Sequence, residues 1–283
     1  MRFGSEKSIG IRDVKPGAEM HEVEELQREV WGVPDLDIVP ASQLVAATTA
    51  GGVLIGAFNG ETMIGFVYGF AGIEHGRPVH HSHMLAVKPE YRNFHLGHRL
   101  KLAQRERVQK QGIDLMSWTF DPLQSLNAYI NFKKFGVVSN RYFVNFYGED
   151  APSFLHRNGT DRLWVSWLLS SKRVNERLNG AMPKFDIEKA QPIIELGKNN
   201  IPLRGDLSEK SDQPLTIEIP GNIGEIEKND PELAAEWREA TRWAFNEALA
   251  SGYLVEEFAK KNEGEYQRGI YFLAPGKDLE DII

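Results

Sequence analysis

The stretch Met84–Gln111, MLAVKPEYRNFHLGHRLKLAQRERVQKQ, carries three patterns in one short span. Met84-Leu85-Ala86-Val87 is an apolar run stopped by Lys88-Pro89, which predicts a strand ending at a proline. Glu90 to His95 is a polar loop. From there Leu96, Leu100 and Ala103 recur at helical spacing, with basic residues over most of the other faces. A strand feeding a loop that opens a helix aims free backbone N–H groups and the positive end of a helix dipole at one spot, which suits a phosphate. Arg92, His95, His98 and Arg99 cluster about that spot and would add charge-assisted contacts. An ordinary strand-to-helix turn before a solvated basic helix would be spelled in much the same letters, so the flanking chain decides between the two.

Upstream, Ile9 to Val14 is a strand candidate, and Ala18 to Trp31 a helix with Met20, Val23, Leu26, Val30 and Trp31 as its buried stripe. A second helix is expected near Ala41 to Thr49. Val53–Phe58 and Met63–Ile73 read as strands about the hairpin signal Asn59-Gly60, and Val79–Val87 as a third strand. Downstream, Asp114–Phe120 is a strand, Leu123–Phe135 a helix closed by Gly136, and Tyr142–Tyr147 and Arg162–Leu169 two more strands. The predicted order is β-α-α-β-β-β-α-β-α-β-β.

After Leu169 the pattern loosens. Ser170 to Leu215 is polar and without sustained periodicity, which predicts a linker over 171–214. A compact pattern returns with a strand at Leu215–Ile219, an amphipathic helix at Pro231–Ser251, and strands at Tyr253–Phe258 and Gly269–Leu273. Trp237, Trp243 and Phe245 give that helix more aromatic surface than one thin sheet covers, so it needs a further apolar partner.

Composition narrows the functions. Hydrophobic residues at 41% and charged residues at 26% describe a globular chain able to fill a core. A formal charge of -7 argues against nucleic acid as a partner, and Glu106 interrupts the basic helix that would have to carry it. With no cysteine, disulfides, thiol nucleophiles and thiolate metal sites are excluded together. No apolar run approaches the ~18 residues of a membrane span, and the start lacks an apolar signal segment, so no membrane partner and a cytoplasmic location are expected.

The element order and the loop together resemble the GNAT superfamily of N-acyltransferases. In that family a strand ending in Val leads into an Arg/Gln-x-x-Gly-x-Gly/Ala loop that cradles the pyrophosphate of coenzyme A. Here the loop reads Arg92-Asn93-Phe94-His95-Leu96-Gly97, with the Arg, the second Gly and the following Leu100 in register and His95 at the first Gly. The resemblance covers roughly residues 5 to 170. It implies a GNAT-like mixed central sheet flanked by helices over 1–170, an α/β (α+β) class, with 215–283 as a smaller C-terminal α+β part. The β-α-β-β order of that part repeats Leu115–Leu169, so either a partial GNAT-like repeat or a generic cap is expected.

The resemblance further implies acyl-CoA, acetyl or succinyl, as co-substrate and a small, amino-acid-like amine as acceptor, with no metal. Arg92, Asn93, Phe94, His95, Leu96, Gly97 and His98 would hold the pyrophosphate. Leu85, Ala86 and Val87 would pair with the pantetheine arm, and Asn127 and Phe132 fall at positions where the family meets the cofactor. The family often carries a Glu as base on the motif strand; here Val79–Val87 offers His80, His81 and His83 instead. His81 and His83 share a face by period two, and an imidazole titrates where an amine's base should. A structural histidine pair is the other reading. A metal site is a third, since six of the eight histidines lie between His75 and His98, but no carboxylate accompanies them on the strand. As acid, Phe132 stands where the family has Tyr; Tyr129 is the nearest phenol, Tyr142 and Tyr147 are alternatives, and a thiolate of pKa ~8.5 can also leave unassisted. Arg141 and Arg162 would suit an acceptor carboxylate, with Trp118 and Phe120 lining the cleft. A GNAT-fold protein that binds coenzyme A without transfer competes with the enzyme. A homodimer is compatible with all of this.

Overall fold

The computed structural model describes residues 9–148, 158–183, 185–207, 213–263 and 266–276. The chain divides into two compact units, with the division between Trp118 and Thr119.

The first unit begins with β1 (Ile9–Asp13) and α1 (Ala18–Trp31), a helix entered at Gly17 and ended by Gly32 in the left-handed conformation. α2 (Ala41–Thr49) leads to the meander β2 (Val53–Asn59), β3 (Thr62–Glu74) and β4 (Arg77–Val87). The β3–β4 hairpin is longer than the hydrophobic pattern predicts. It turns on His75 and Gly76, both at positive φ, and its tip from Phe70 to Pro78 lies largely beyond the core. A 3-10 segment, Pro89–Phe94, delivers the chain to α3 (Leu96–Lys110), after which β5 (Leu115–Phe120) starts. The strands lie in the order β1-β2-β3-β4-β5, antiparallel up to β4 and parallel between β4 and β5. Met20, Val23 and Leu26 of α1 and Leu44 of α2 close a core over Leu54, Phe66, Tyr68 and Ala86. That apolar burial is what holds the meander against the helices.

The second unit contains the end of β5, α4 (Ser125–Ala128) continuing as a π-helical stretch (Tyr129–Phe135), β6 (Val138–Phe143) and β7 (Arg162–Leu168). β6 begins four residues earlier than the expected Tyr142–Tyr147 strand. Val137 and Val138 are buried, whereas Asn145 and Gly148 take positive φ and turn the chain. The expected linker carries structure: α5 (Lys172–Leu178), β8 (Gln191–Leu196) and β9 (Pro202–Arg204). Ile193 and Ile194 are both fully buried, and a short strand buried on both faces shows no alternation to read. β10 (Leu215–Pro220), α6 (Ile223–Asn229), α7 (Pro231–Ala250), β11 (Tyr253–Glu263) and β12 (Tyr266–Pro275) complete the unit, with strand order β7-β6-β11-β12-β10-β8-β9.

The connectivity β10-α7-β11-β12 follows that of β5-α4-β6-β7, and the two hairpins meet at Val255↔Ser139. The aromatic face of α7 finds its partners here. Phe245 stacks on Tyr142 of β6 with ring centroids 5.4 Å apart, and Trp237 is fully buried and donates to the Asn200 carbonyl at 2.6 Å. Arg238 grips Asp121 with two hydrogen bonds of 2.8 and 2.9 Å, and Arg242 does the same to Asp161 at 2.9 and 3.0 Å. Residues 119–148 therefore share a core with the C-terminal part.

Candidate functional site

The loop after β4 keeps the conformation that the sequence pattern asks for although one residue departs from it. His95 stands at φ 54°, ψ 22°, a left-handed backbone that glycine adopts most cheaply. Helix α3 starts at the next residue, with no side chain capping it and no acidic residue in its first turn. Its leading N–H groups, those of Leu96 and Gly97 among them, have no acceptor within the helix and point out of its end with the dipole. Gly97 packs close to β4, where an added Cβ would meet Leu85 Cδ2 at 3.4 Å. Arg92 and His95 are exposed beside this end, and Leu96 is buried as its anchor. The Asn93 side chain lies outside the described set, and Phe94 packs on Tyr91 at 6.0 Å between ring centroids. Arg99 does not join the cluster as expected. Its guanidinium donates to the Ile9 carbonyl at 3.1 Å, toward β1.

β4 changes parity in mid-strand. Tyr68 pairs with Met84 and Gly69 with Ser82, which leaves His83 as the extra residue of a β-bulge. Before the bulge, His80 and Ser82 face α3, where both bond to Gln104, while His81 turns to the opposite face and bonds Ser117 Oγ at 3.1 Å. After it, the even positions Met84 and Ala86 join the core with α1 and α2, and Leu85 faces α3. The bulge thus lets one strand present His81 to one side and then Leu85 to α3 on the other. The ladder with β5 holds His80↔Met116 and His81↔Ser117 and goes no further, so from Ser82 to Val87 β4 is paired with β3 alone. A strand edge released in this way can accept an extended, amide-bearing ligand.

His81 and His83 come together as predicted. Their ring centroids are 6.3 Å apart, and Phe70 lies 5.5 Å from one and 5.9 Å from the other. Tyr68 approaches His83 edge-on at 6.3 Å. These rings desolvate the His83 imidazole and lower its pKa below the ordinary value, even though one edge meets solvent. The group is therefore a neutral proton acceptor at neutral pH.

His80 is different. It is fully buried and its pKa is lowered to about 3 by burial first, then by Lys101 and His81. The Gln104 amide nitrogen can only donate, so at 3.2 Å it makes His80 Nε2 the acceptor and puts the proton on Nδ1, which has no partner. Gly69 makes this packing feasible, since a Cβ there would stand 2.4 Å from His80 Nε2. Lys101, Gln104, Ser117, Phe70 and Gly69 escaped the sequence reading. Only Gly69, a glycine inside a strand pattern, gave a signal.

The remaining predicted residues belong to the second unit. Asn127 is exposed, and Tyr129 is half-buried with the ammonium groups of Lys134 and Lys260 at 5.7 and 5.4 Å from its ring. Phe132 is fully buried in an edge-to-face cluster with Phe120 and Tyr271. The Tyr142 hydroxyl donates to Asp161 at 2.7 Å, and burial pushes its pKa well up, which makes it a poor acid. Arg141 lies over Trp164 and Arg162 over Tyr147, at 4.7 and 5.2 Å from the ring centroids. Among the described residues no cluster of three or more His, Asp or Glu stands where it could hold a metal ion, and no helix is long and apolar enough to cross a membrane.

Part of the chain is similar to known proteins. The family model described as "Acetyltransferase (GNAT) family" matches residues 19–136, from α1 to the end of the π-helical stretch. No curated protein matches the chain. Solved structures similar to it include the ribosomal-protein-S18-alanine N-acetyltransferase from Escherichia coli, at 11% identity over 57% of this chain and 94% of that one, TM-score 0.45. Arabidopsis thaliana Naa50, in complex with a bisubstrate analogue, is 19% identical over 56% of this chain and 96% of its own, TM-score 0.44. A GNAT family acetyltransferase from Elizabethkingia anophelis with acetyl-CoA bound is 14% identical over 57% and 98%, TM-score 0.44. Over residues 19–136 the chain is thus similar to the acetyltransferase (GNAT) family.

Proposed function

We propose that the protein transfers an acyl group, acetyl or succinyl, from acyl-CoA to the amine of a small, amino-acid-like acceptor, in the cytoplasm. The observation that carries this reading is the uncapped start of α3 behind a left-handed His95, set directly after a strand whose ladder with β5 ends at His81. The N–H groups of Leu96 and Gly97, with Arg92, His95 and His98, would take the pyrophosphate. Leu85, Ala86 and Val87 offer backbone groups to the pantetheine amides, and an N–H at Ala86 or Val87 would polarise the thioester carbonyl. His83, with His81 beside it, accepts the proton that the acceptor ammonium must lose before its nitrogen can attack. The thiolate leaves either unassisted or with a proton from Tyr129.

A GNAT-fold protein that binds coenzyme A without transfer is the second reading. It draws on Phe132, which has no proton to give and is sealed in an aromatic cluster. Release of free thiol from acetyl-CoA and succinyl-CoA, measured against a panel of amino acids and other amines, separates the two. Thiol release that depends on one class of amine supports the enzyme. Binding of coenzyme A with no release for any amine leaves the binder.

A further inference from the structure

On the α3 side of β4, away from His81 and His83, one amine has no part in the function proposed above. Lys101 lies in the second turn of α3, is 6% exposed, and holds its Nζ 3.8 Å from the centroid of the Trp118 ring. The hydrogen bond it makes, to Gln104 Oε1 at 3.5 Å, is long, and that oxygen already accepts from Ser82 Oγ at 2.8 Å. No carboxylate pairs with it among the described residues, and its polar neighbours His80, Ser82 and Gln104 carry no negative charge. Burial without a counter-charge pushes the lysine well below its ordinary value, which favours the neutral amine with its free lone pair over the ammonium.

Its place is as telling as its state. Trp118 is the first residue of β5 beyond the last pair with β4, His81↔Ser117. The amine therefore stands beside the point where the β4–β5 ladder ends, toward which the acyl-CoA reading runs the acyl end of the ligand.

We propose that Lys101 is a self-acylation site, taking the acyl group of a bound acyl-CoA onto its own Nζ. The inference rests on the acyl-CoA reading. The Nζ lone pair forms a bond to the thioester carbonyl carbon and the carbon–sulfur bond breaks. The amine's second proton goes to the departing thiolate, giving Nε-acyl-lysine and free coenzyme A with no other reactant. Selectivity follows from burial. An exposed lysine with its ordinary pKa of ~10.4 is neutral in about one molecule in a thousand at pH 7.4, whereas burial raises the neutral share of Lys101 above that. The product is an uncharged amide, which suits a site that already refuses charge.

The test incubates the full chain with acetyl-CoA at neutral pH and maps acetylated peptides by mass spectrometry, with coenzyme A-induced thermal shift recorded on the same sample. Expected is acetylation of Lys101 at a rate about tenfold or more above that of the exposed Lys110, Lys172 and Lys189. Excess coenzyme A should suppress it. Lys101→Met should lose that one modification and keep the rest; should this variant not fold, Lys101→Gln serves, and the wild-type map stands without either. Acetyl groups spread over exposed lysines with Lys101 unmodified, in a protein that still gives the thermal shift, would overturn the inference and leave the acyl-CoA reading standing. Lys101 acetylation indifferent to excess coenzyme A would also overturn it, since the acyl group would then come from solution. No shift and no Lys101 acetylation would overturn both.

Discussion

The two faces of β4 are built from nearly the same letters and behave as opposites. Toward α3, His80 and Ser82 sit with Lys101 and Gln104 in a buried polar layer in which desolvation works against charge. On the other side His81 and His83 lie among Phe70, Tyr68 and Ser117, with His83 and Phe70 open to solvent. Four successive residues, His80 to His83, thus divide into a buried pair bonded to Gln104 and a pair on the opposite face, of which His83 meets solvent. Burial, and not residue type, assigns the role.

The comparison breaks most visibly if the open face does no chemistry. General-base catalysis is worth about 10² to 10⁴-fold, so His83→Ala should lower kcat by that range with acyl-CoA affinity nearly unchanged. His80→Ala, on the buried face, should act through stability. A loss for His83→Ala that is confined to Tm or KM moves this residue to a structural role.

Next in size is Gly69, which lies opposite both faces. A Cβ at this position would stand 2.4 Å from His80 Nε2 and 2.6 Å from the His81 carbonyl. Gly69→Ala should cost about 1–3 kcal/mol in chemical denaturation, because neither the ring nor the backbone has room to yield. Unchanged stability would show that the layer is looser than its distances imply.

A smaller effect has a definite sign. Burial lowers the folded-state pKa of Lys101 below its unfolded ~10.4, so wild-type stability rises with pH through the interval between the two, by up to about 1.4 kcal/mol per pH unit. Lys101→Met should flatten that slope. His80 acts in the same sense lower down: its pKa falls from 6.5 to about 3 on folding, so stability is lost as pH drops through that window, and His80→Gln should lessen the loss. Parallel curves for wild type and variants would contradict a buried layer that works against charge.

The smallest concerns the end of β4. His95→Gly should leave the loop intact and change stability by less than about 1 kcal/mol, since the left-handed backbone suits glycine while the unfolded chain gains freedom.

How far the sequence discloses this arrangement depends on the range of the forces involved. The meander, α1 and α3 follow from local periodicity, and His95 could be placed because a glycine position in a known pattern specifies a backbone conformation. The bulge at His83 could not be read, because an extra residue shows only against its partner strand. The burial of Lys101 was hidden for a similar reason. Leu96, Leu100 and Val108 mark the inner face of α3, but Gln104 interrupts it, and only contact with Trp118 shows a basic residue inside. The same holds for β8, whose buried isoleucines alternate with nothing, and for Asp121 and Arg238, which find each other across more than a hundred residues.

The central claim, that the start of α3 receives the phosphates of an acyl-CoA, is tested most directly by ligand-induced thermal stabilisation. At a hundredfold excess over Kd a bound ligand adds about 2.7 kcal/mol. Wild-type protein should show a rise in Tm with acetyl-CoA. The double variant Arg92→Ala/Gly97→Pro loses a cation and one N–H donor at a position in the first helical turn where proline is tolerated. It should fold and show no rise. A folded double variant with the full wild-type shift would place the ligand elsewhere and contradict the account.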